Sequence, residues 1–168
     1  MNLILDMDET LINYKMFPRP YLEQFLTECF KIFSSISIWT NANEEWFNMA
    51  NNNIFKPLID IINEKEKTLY KFHFVFTREK YKNKKLRRLH NSKTFKQFNI
   101  NNMIIIDDTK ENFTWNYGNG IQIIPFCNFY NDSELLKLLK YFKKILIPYF
   151  NENNTILSLD KRLWRLKI

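Results

Sequence analysis

Short, nearly continuous apolar runs recur along this chain and leave it few folds to choose from. They read "NLIL" (2–5), "ISIW" (36–39), "FHFVF" (72–76), "MIII" (103–106) and "IQII" (121–124). Each is rich in β-branched or aromatic residues and too short for a helix, so each predicts a strand. Little alternation between polar and apolar residues appears within them, as expected for strands covered on both faces.

Between most of the runs stand segments of helical periodicity. "RPYLEQFLTECFKIF" (19–33) puts Leu22, Phe25, Leu26, Phe30 and Phe33 on one stripe, with Pro20 suited to a helix start. "EEWFNMANNNIF" (44–55) predicts a second helix and "KKLRRLHNSKTFKQF" (84–98) a third, very basic one. "DSELLKLLKYFKKILIPYF" (132–150) predicts a fourth, capped by Asp132 or Ser133, with leucines every three or four residues. Alternating strands and helices imply an α/β fold, a three-layer sandwich with a central parallel sheet. We expect one catalytic domain over 1–150, followed by a basic C-terminal tail over 151–168.

Ligands of such sheets bind beyond the carboxyl ends of the strands, so the residues after each run matter most. Asp6 follows the first run, with Asp8 two residues on; Thr40 follows the second; Asp107 and Asp108 follow the fourth. A single Asp after a strand is ordinary turn chemistry. Three strand ends carrying metal- or phosphate-capable groups are not explained that way. A phosphate monoester repels nucleophiles, so its hydrolysis needs cations to neutralise charge and a nucleophile held in line. Asp6 at a strand tip suits a carboxylate nucleophile, and Asp8 an acid/base that protonates the leaving oxygen and then activates water. Thr40 offers a hydroxyl to phosphate oxygens. Asp107 and Asp108 add charge for a Mg²⁺ ion or a buried lysine.

The bulk properties narrow the partners. A net charge of +7 favours acidic or phosphorylated partners. Cys29 and Cys127 share no metal-type spacing with each other or with His73 and His90, and a reduced, cytoplasmic or nuclear setting is the default. No apolar run approaches the roughly 20 residues needed to span a bilayer, so no membrane partner is expected.

The motifs "DMDETL", "SIWTNAN" and "IIIDDTKENF" resemble motifs one, two and four of the haloacid dehalogenase superfamily. The "DxDET" form is similar to the RNA polymerase II C-terminal-domain (CTD) phosphatases, and "RPYLEQFLT", "IWTNANEEW" and "NMIIIDDTKENF…NGIQIIPF" to their ubiquitin-like-domain-containing branch. The likeness runs from about residue 2 to 147. It implies Asp6 as nucleophile and metal ligand, Asp8 as general acid/base and ligand through its backbone carbonyl, and Asp108 as metal ligand, with Mg²⁺ the cofactor. Thr40 and Asn41 would bind phosphate, Thr10 support the first-motif loop, and Asp107 orient the third-motif lysine. That lysine is Lys84 by the "K-x-L" pattern, with Lys85 one residue away as the alternative. The implied substrate is a phosphoserine or phosphothreonine protein, the polymerase CTD among them. Only "NYKMFP" (13–18) separates the first motif from Arg19–Pro20, a shorter stretch than many relatives have.

Two other readings remain open. The basic stretch Arg78–Lys96 fits a solvated face, or a docking surface for an acidic chain or a nucleic-acid backbone. The second option makes a nucleic-acid 3′-end phosphatase the alternative enzyme, and a non-catalytic phosphopeptide-binding relative is a further one. The intact Asp6–Asp8 pair argues against a scaffold. Trp39, Trp46 and Trp115 read as packing residues. The tail reads as a short helix docked through Ile156, Leu159, Leu163 and Trp164, or as a partner-binding element.

Overall fold

The computed structural model describes residues 1–80, 99–114, 116–127 and 131–168. Strands β1 (Asn2–Leu5), β2 (Ser35–Trp39), β3 (Val75–Phe76), β4 (Met103–Asp107) and β5 (Gly120–Gln122) form one sheet in the order β3-β2-β1-β4-β5. Every pairing is parallel, and Asn2 stands opposite both Ser35 and Met103. The first strand is therefore central. From it the chain winds outward to β2 and β3, then returns to the other side for β4 and β5. The crevice at the tips of β1 and β4 is the switch point where ligands of such sheets bind. The expected α/β class with a central parallel sheet is the one observed.

The strand sequences look uniformly apolar, yet their side chains divide by the period of two. Leu3, Leu5, Ile36, Ile38, Ile104, Ile106 and Ile121 join the main core. Ile4, Trp39, Met103, Ile105 and Phe76 point to the other face, where Phe113 packs with them. On the main-core side lie α1 (Leu22–Ile32), α2 (Glu44–Ala50), α3 (Lys56–Glu66) and α4 (Glu134–Tyr141), contributing among others Phe25, Phe47, Ile62 and Leu138. Ser133 is the N-cap position of α4 without a side-chain cap bond, and Asp132, one residue earlier, accepts the Glu134 N–H at 3.0 Å.

The second helix runs longer than its sequence announces. A π-helical turn, Asn51–Phe55, joins α2 directly to α3. The Lys56 N–H donates to Asn51 O, five residues back, one position ahead of Pro57. A proline inside a regular helix clashes with the carbonyl four residues earlier, and the widened turn admits it. The same device recurs at Phe142–Leu146, where Ile147 N–H donates to Phe142 O ahead of Pro148, so α4 continues into α5 (Ile147–Asn153).

Beyond α5 the chain turns back onto the core. Ile156 and Trp164 are fully buried in it, and the Trp164 ring lies 5.7 Å from that of Tyr141. Leu159 packs partly and Leu163 faces solvent. Lys161 is buried too, its ammonium donating to Ile156 O at 2.5 Å and Leu159 O at 2.7 Å. Among the described residues no helix is long and apolar enough to cross a membrane.

The chain has two glycines, Gly118 and Gly120, and both mark close approaches. A Cβ on Gly120 would sit 2.3 Å from Cδ1 of Phe113, a ring packed in the second core; one on Gly118 would come closest to the side-chain end of Leu157, at 3.1 Å, with Leu157 backbone atoms at ordinary contact distance. Gly120→Ala is therefore expected to destabilise the fold by about 1–3 kcal/mol through overpacking. Gly118→Ala should be nearly neutral. Denaturant midpoints of the two variants check this, and equal shifts would refute the steric account.

Candidate active site

At the tip of β1 the chain enters a tight loop, with the N–H groups of Thr10, Leu11 and Ile12 all directed at Met7 O. Glu9 adopts a left-handed conformation there, φ 55°. This loop turns Asp6 and Asp8 toward one open cleft of about 550 Å³, lined also by Glu9, Tyr14, Thr40, Asn41, Trp46, Arg78, Asp108 and Asn112. Residues from three strand ends meet there, as the strand-end rule anticipated.

Asp6, Asp107 and Asp108 can bring one carboxylate oxygen each within 4.8 Å of the others. Asp6 and Asp107 are buried and Asp108 is half-buried. Burial, followed by the neighbouring Asp107 charge, pushes the Asp108 carboxyl above the usual carboxylate range. Thr10 Oγ1 lies 3.5 Å from Asp6 Oδ2 and 3.4 Å from Asp108 Oδ1. Those are long contacts for a hydroxyl, so Thr10 spans the pair rather than clamping it. Asp107 is held differently. Asn112 Nδ2 donates to both its oxygens at 2.9 Å, and the Thr109 N–H to Oδ1 at 2.9 Å. With its oxygens engaged in this way, Asp107 contributes charge more than ligand positions.

Asp8 stands outside the carboxylate trio. Trp46 Nε1–H donates to its Oδ1 at 2.7 Å. Trp46 packs against the main core, as expected for it, and it also lines the cleft and holds a candidate acid/base. Asn43 caps α2 by accepting the Trp46 N–H at 2.7 Å, which sets the indole at the first helical turn beside the strand tips. Spacing from that cap was the available signal.

Thr40 spends its backbone N–H on Phe76 O and accepts the Ala42 N–H on Oγ1 at 3.0 Å. Its hydroxyl proton, not its amide, is what remains for a phosphate oxygen. Asn41 is exposed at the rim. Arg78, two residues past β3, donates Nε–H to Asn41 O at 3.0 Å and its backbone N–H to Ala42 O. The strand-end rule applied to β3 would have singled it out. Lys84 and Lys85 lie outside the described residues, as do Trp115 and most of the basic stretch.

Behind the loop sits Arg19, 1% exposed. Its guanidinium pairs with Asp132 at 2.9 Å and donates to Thr10 O at 3.1 Å and Ile124 O at 2.8 Å.

A family model described as "NLI interacting factor-like phosphatase" matches residues 1–153. The chain belongs to that family. Within it, the chain is similar to the Ubiquitin-like domain-containing CTD phosphatase 1 of Drosophila melanogaster, 31% identical over 96% of this chain and 53% of the relative. The Ubiquitin-like domain-containing CTD phosphatase of Arabidopsis thaliana is 27% identical over 85% of this chain and 46% of its own length. The chain thus spans about half the length of these curated relatives. The structure of Fcp1, an essential RNA polymerase II CTD phosphatase, superposes with a TM-score of 0.54 at 18% identity, covering 98% of this chain and 56% of the other. That last likeness is one of fold. Together these findings bear out the family resemblance read from the motifs.

The donor set fits a hard divalent cation, which takes carboxylate and carbonyl oxygens. Crowded carboxylates repel one another until a cation joins them, so a bound cation would stabilise the fold. Saturating Mg²⁺ at a hundredfold excess over Kd is expected to add about 2.7 kcal/mol, a Tm rise of roughly 5–10 °C for a domain of this size. Asp108→Asn should remove most of that rise while melting higher than the wild type without Mg²⁺. Thermal melts with and without chelator decide the matter, and a rise undiminished in Asp108→Asn would exclude this cluster as the site.

Proposed function

We propose that the chain is a Mg²⁺-dependent protein phosphatase that removes phosphate from phosphoserine or phosphothreonine through an aspartyl-phosphate. The observation that carries this reading is the convergence of Asp6, Asp8, Thr40 and Asp108 on one cleft in a chain of a phosphatase family. Asp6 and Asp108 would hold the metal with side-chain oxygens and Asp8 with its backbone carbonyl; once bound, it neutralises charge between phosphate and nucleophile.

In the proposed mechanism a carboxylate oxygen of Asp6 attacks phosphorus in line with the seryl oxygen. The phosphorus–oxygen ester bond breaks, and Asp8 delivers its proton to the departing alkoxide. Water then attacks the phosphorus of the aspartyl-phosphate and gives a proton back to Asp8; the bond between phosphorus and the Asp6 oxygen breaks, freeing inorganic phosphate and the Asp6 carboxylate. The indole of Trp46 keeps the Asp8 carboxyl turned to the cleft through both steps. Thr40 Oγ1 donates to a phosphate oxygen, and Asn41 stands beside it. Lys84 is the proposed cation on the transferring group, and Asp107 its partner in charge.

Relatives named CTD phosphatases, and the RNA polymerase II CTD phosphatase that shares the fold, make a phosphorylated protein chain the leading substrate. The cleft is open, bounded at one side by Tyr14, 62% exposed within the short 13–18 segment. An extended peptide enters such a cleft without a lid moving. The catalytic unit proposed here spans 1–150, with 151–168 as its tail.

Asp6→Asn should abolish phosphate release from a phosphoserine–proline peptide, and beryllium fluoride should bind the wild type but not the variant. Residual turnover in Asp6→Asn would rule out the covalent route. Trp46→Phe keeps the ring and deletes the N–H; it should lower kcat at least about tenfold, roughly 1.4 kcal/mol of barrier, with KM little changed. A phosphorylated DNA end outcompeting the peptide, with rates falling steeply in salt, would favour the nucleic-acid reading instead.

A further inference from the structure

The end of β5 and the stretch that follows it, residues 122–126, run between the C-terminal segment and the acidic loops and are bonded to both. On the side of the C-terminal segment, Trp164 Nε1–H donates to Gln122 O at 2.9 Å. Arg165 pairs with Glu134, and the same Glu134 oxygen accepts the Ile124 N–H at 3.0 Å. On the side of the cleft, Gln122 Nε2–H donates to the backbone carbonyl of Asp108 at 2.9 Å. Phe126 N–H donates to Glu9 O at 2.6 Å, and Arg19 bridges Ile124 O to Thr10 O. Both acidic loops thus hang on one extended stretch, and that stretch hangs on the tail.

We propose that the C-terminal segment 156–168 is a positioning element of the catalytic centre, acting from Trp164 through Gln122 on the backbone of Asp108. This rests on the reading of Asp108 as a metal ligand. The carbonyl of Asp108 belongs to the peptide plane that leads out of its own Cα. Holding that plane fixes the direction of the carboxylate more firmly than side-chain packing can, because Asp108 is only half-buried. Gln122 supplies the hold through its side chain, which is otherwise exposed. Trp164 keeps Gln122 in place by grasping its carbonyl on the outer edge of β5. The β4–β5 register turns that carbonyl away from the sheet: Ile123 N–H donates inward to Asp107 O, so the neighbouring residue Gln122 faces outward. The buried indole, anchored against Tyr141, cannot follow a wandering loop, and it makes the edge strand stiff where the sheet itself ends.

A single exposed hydrogen bond is too weak to decide folding. Groups that orient a metal ligand, however, change metal affinity by about 10–100-fold. The effect of Gln122 belongs in affinity, not in stability. Gln122→Met keeps the side-chain length and removes the donor. Trp164→Phe keeps a buried ring and removes its N–H. Mg²⁺ binding to the full chain by titration calorimetry, with melting curves alongside, separates the two quantities.

Gln122→Met is expected to weaken Mg²⁺ binding about tenfold, with Tm within a few degrees of wild type. Trp164→Phe should weaken it less and lower Tm as well. The double variant should bind Mg²⁺ no more weakly than Gln122→Met alone, because both changes cut one chain of contacts. Unchanged affinity in Gln122→Met, or additive losses in the double variant, would overturn the proposal. A wild type that bound no Mg²⁺ would overturn the metal-dependent reading of the site along with it.

Discussion

A guanidinium buried behind the first-motif loop is the point on which the architecture turns. Arg19 is nearly inaccessible and reaches three separate stretches of chain: Thr10 in the acidic loop, Ile124 after β5 and Asp132 at the head of α4. Burying an ion pair recovers its desolvation cost only when geometry is good and the remaining donors are satisfied. Here Nε and Nη2 meet Asp132 while Nη1 and Nη2 take carbonyls, and the ring of Phe126 lies 5.4 Å from the guanidinium carbon. Arg19 does not line the cleft, yet it ties the loop that carries Asp6 to the chain that follows β5. Lysine would supply the charge but not the three directions.

What Arg19 holds in position is an arrangement that resists its own formation. Three carboxylates share a space that water alone would rather keep apart, and a fourth, Asp8, lies beside them in the cleft. The fold answers each of them differently. Asp107 is locked by Asn112, Asp8 is drawn aside by the Trp46 indole, and Asp6 and Asp108 are left facing one another across the Thr10 hydroxyl. Four similar acids thereby acquire separate surroundings, and Asp6 and Asp108 are the pair that face one another where a cation could join them. The sheet's switch point supplies the location, and side-chain hydrogen bonds supply the division of labour.

Much of this could be read from residue order because continuous apolar runs, with polar groups directly after them, expose both the strands and their functional ends. The positions of Asp6, Asp8, Thr40 and Asp108 around one cleft follow from that pattern together with parallel topology. The extent of α3 did not follow: "NNNIFKP" carries the usual signals of a helix end, and only a π turn lets the helix pass Pro57. Trp46 was hidden by the abundance of aromatic residues, since composition says nothing about which ring nitrogen faces a carboxylate. The role of Gln122 is invisible in sequence for a related reason. Its side chain meets Asp108 across the sheet edge, fourteen residues away in the chain, and no periodicity links the two.

The scarcity of glycine leaves a mark elsewhere. Met16, Tyr21, Lys67 and two asparagines, Asn131 and Asn154, join Glu9 in left-handed backbone conformations, none of them occupied by glycine. L-residues other than asparagine and aspartate pay about 1–2 kcal/mol for that geometry. At Glu9 the tension sits in the acidic loop, where a relaxed backbone would free the loop to rearrange. At Met16, Tyr21 and Lys67 it serves no visible chemistry. The molecule therefore works below the stability its architecture permits, and the shortfall is a property of its amino-acid vocabulary rather than of its fold.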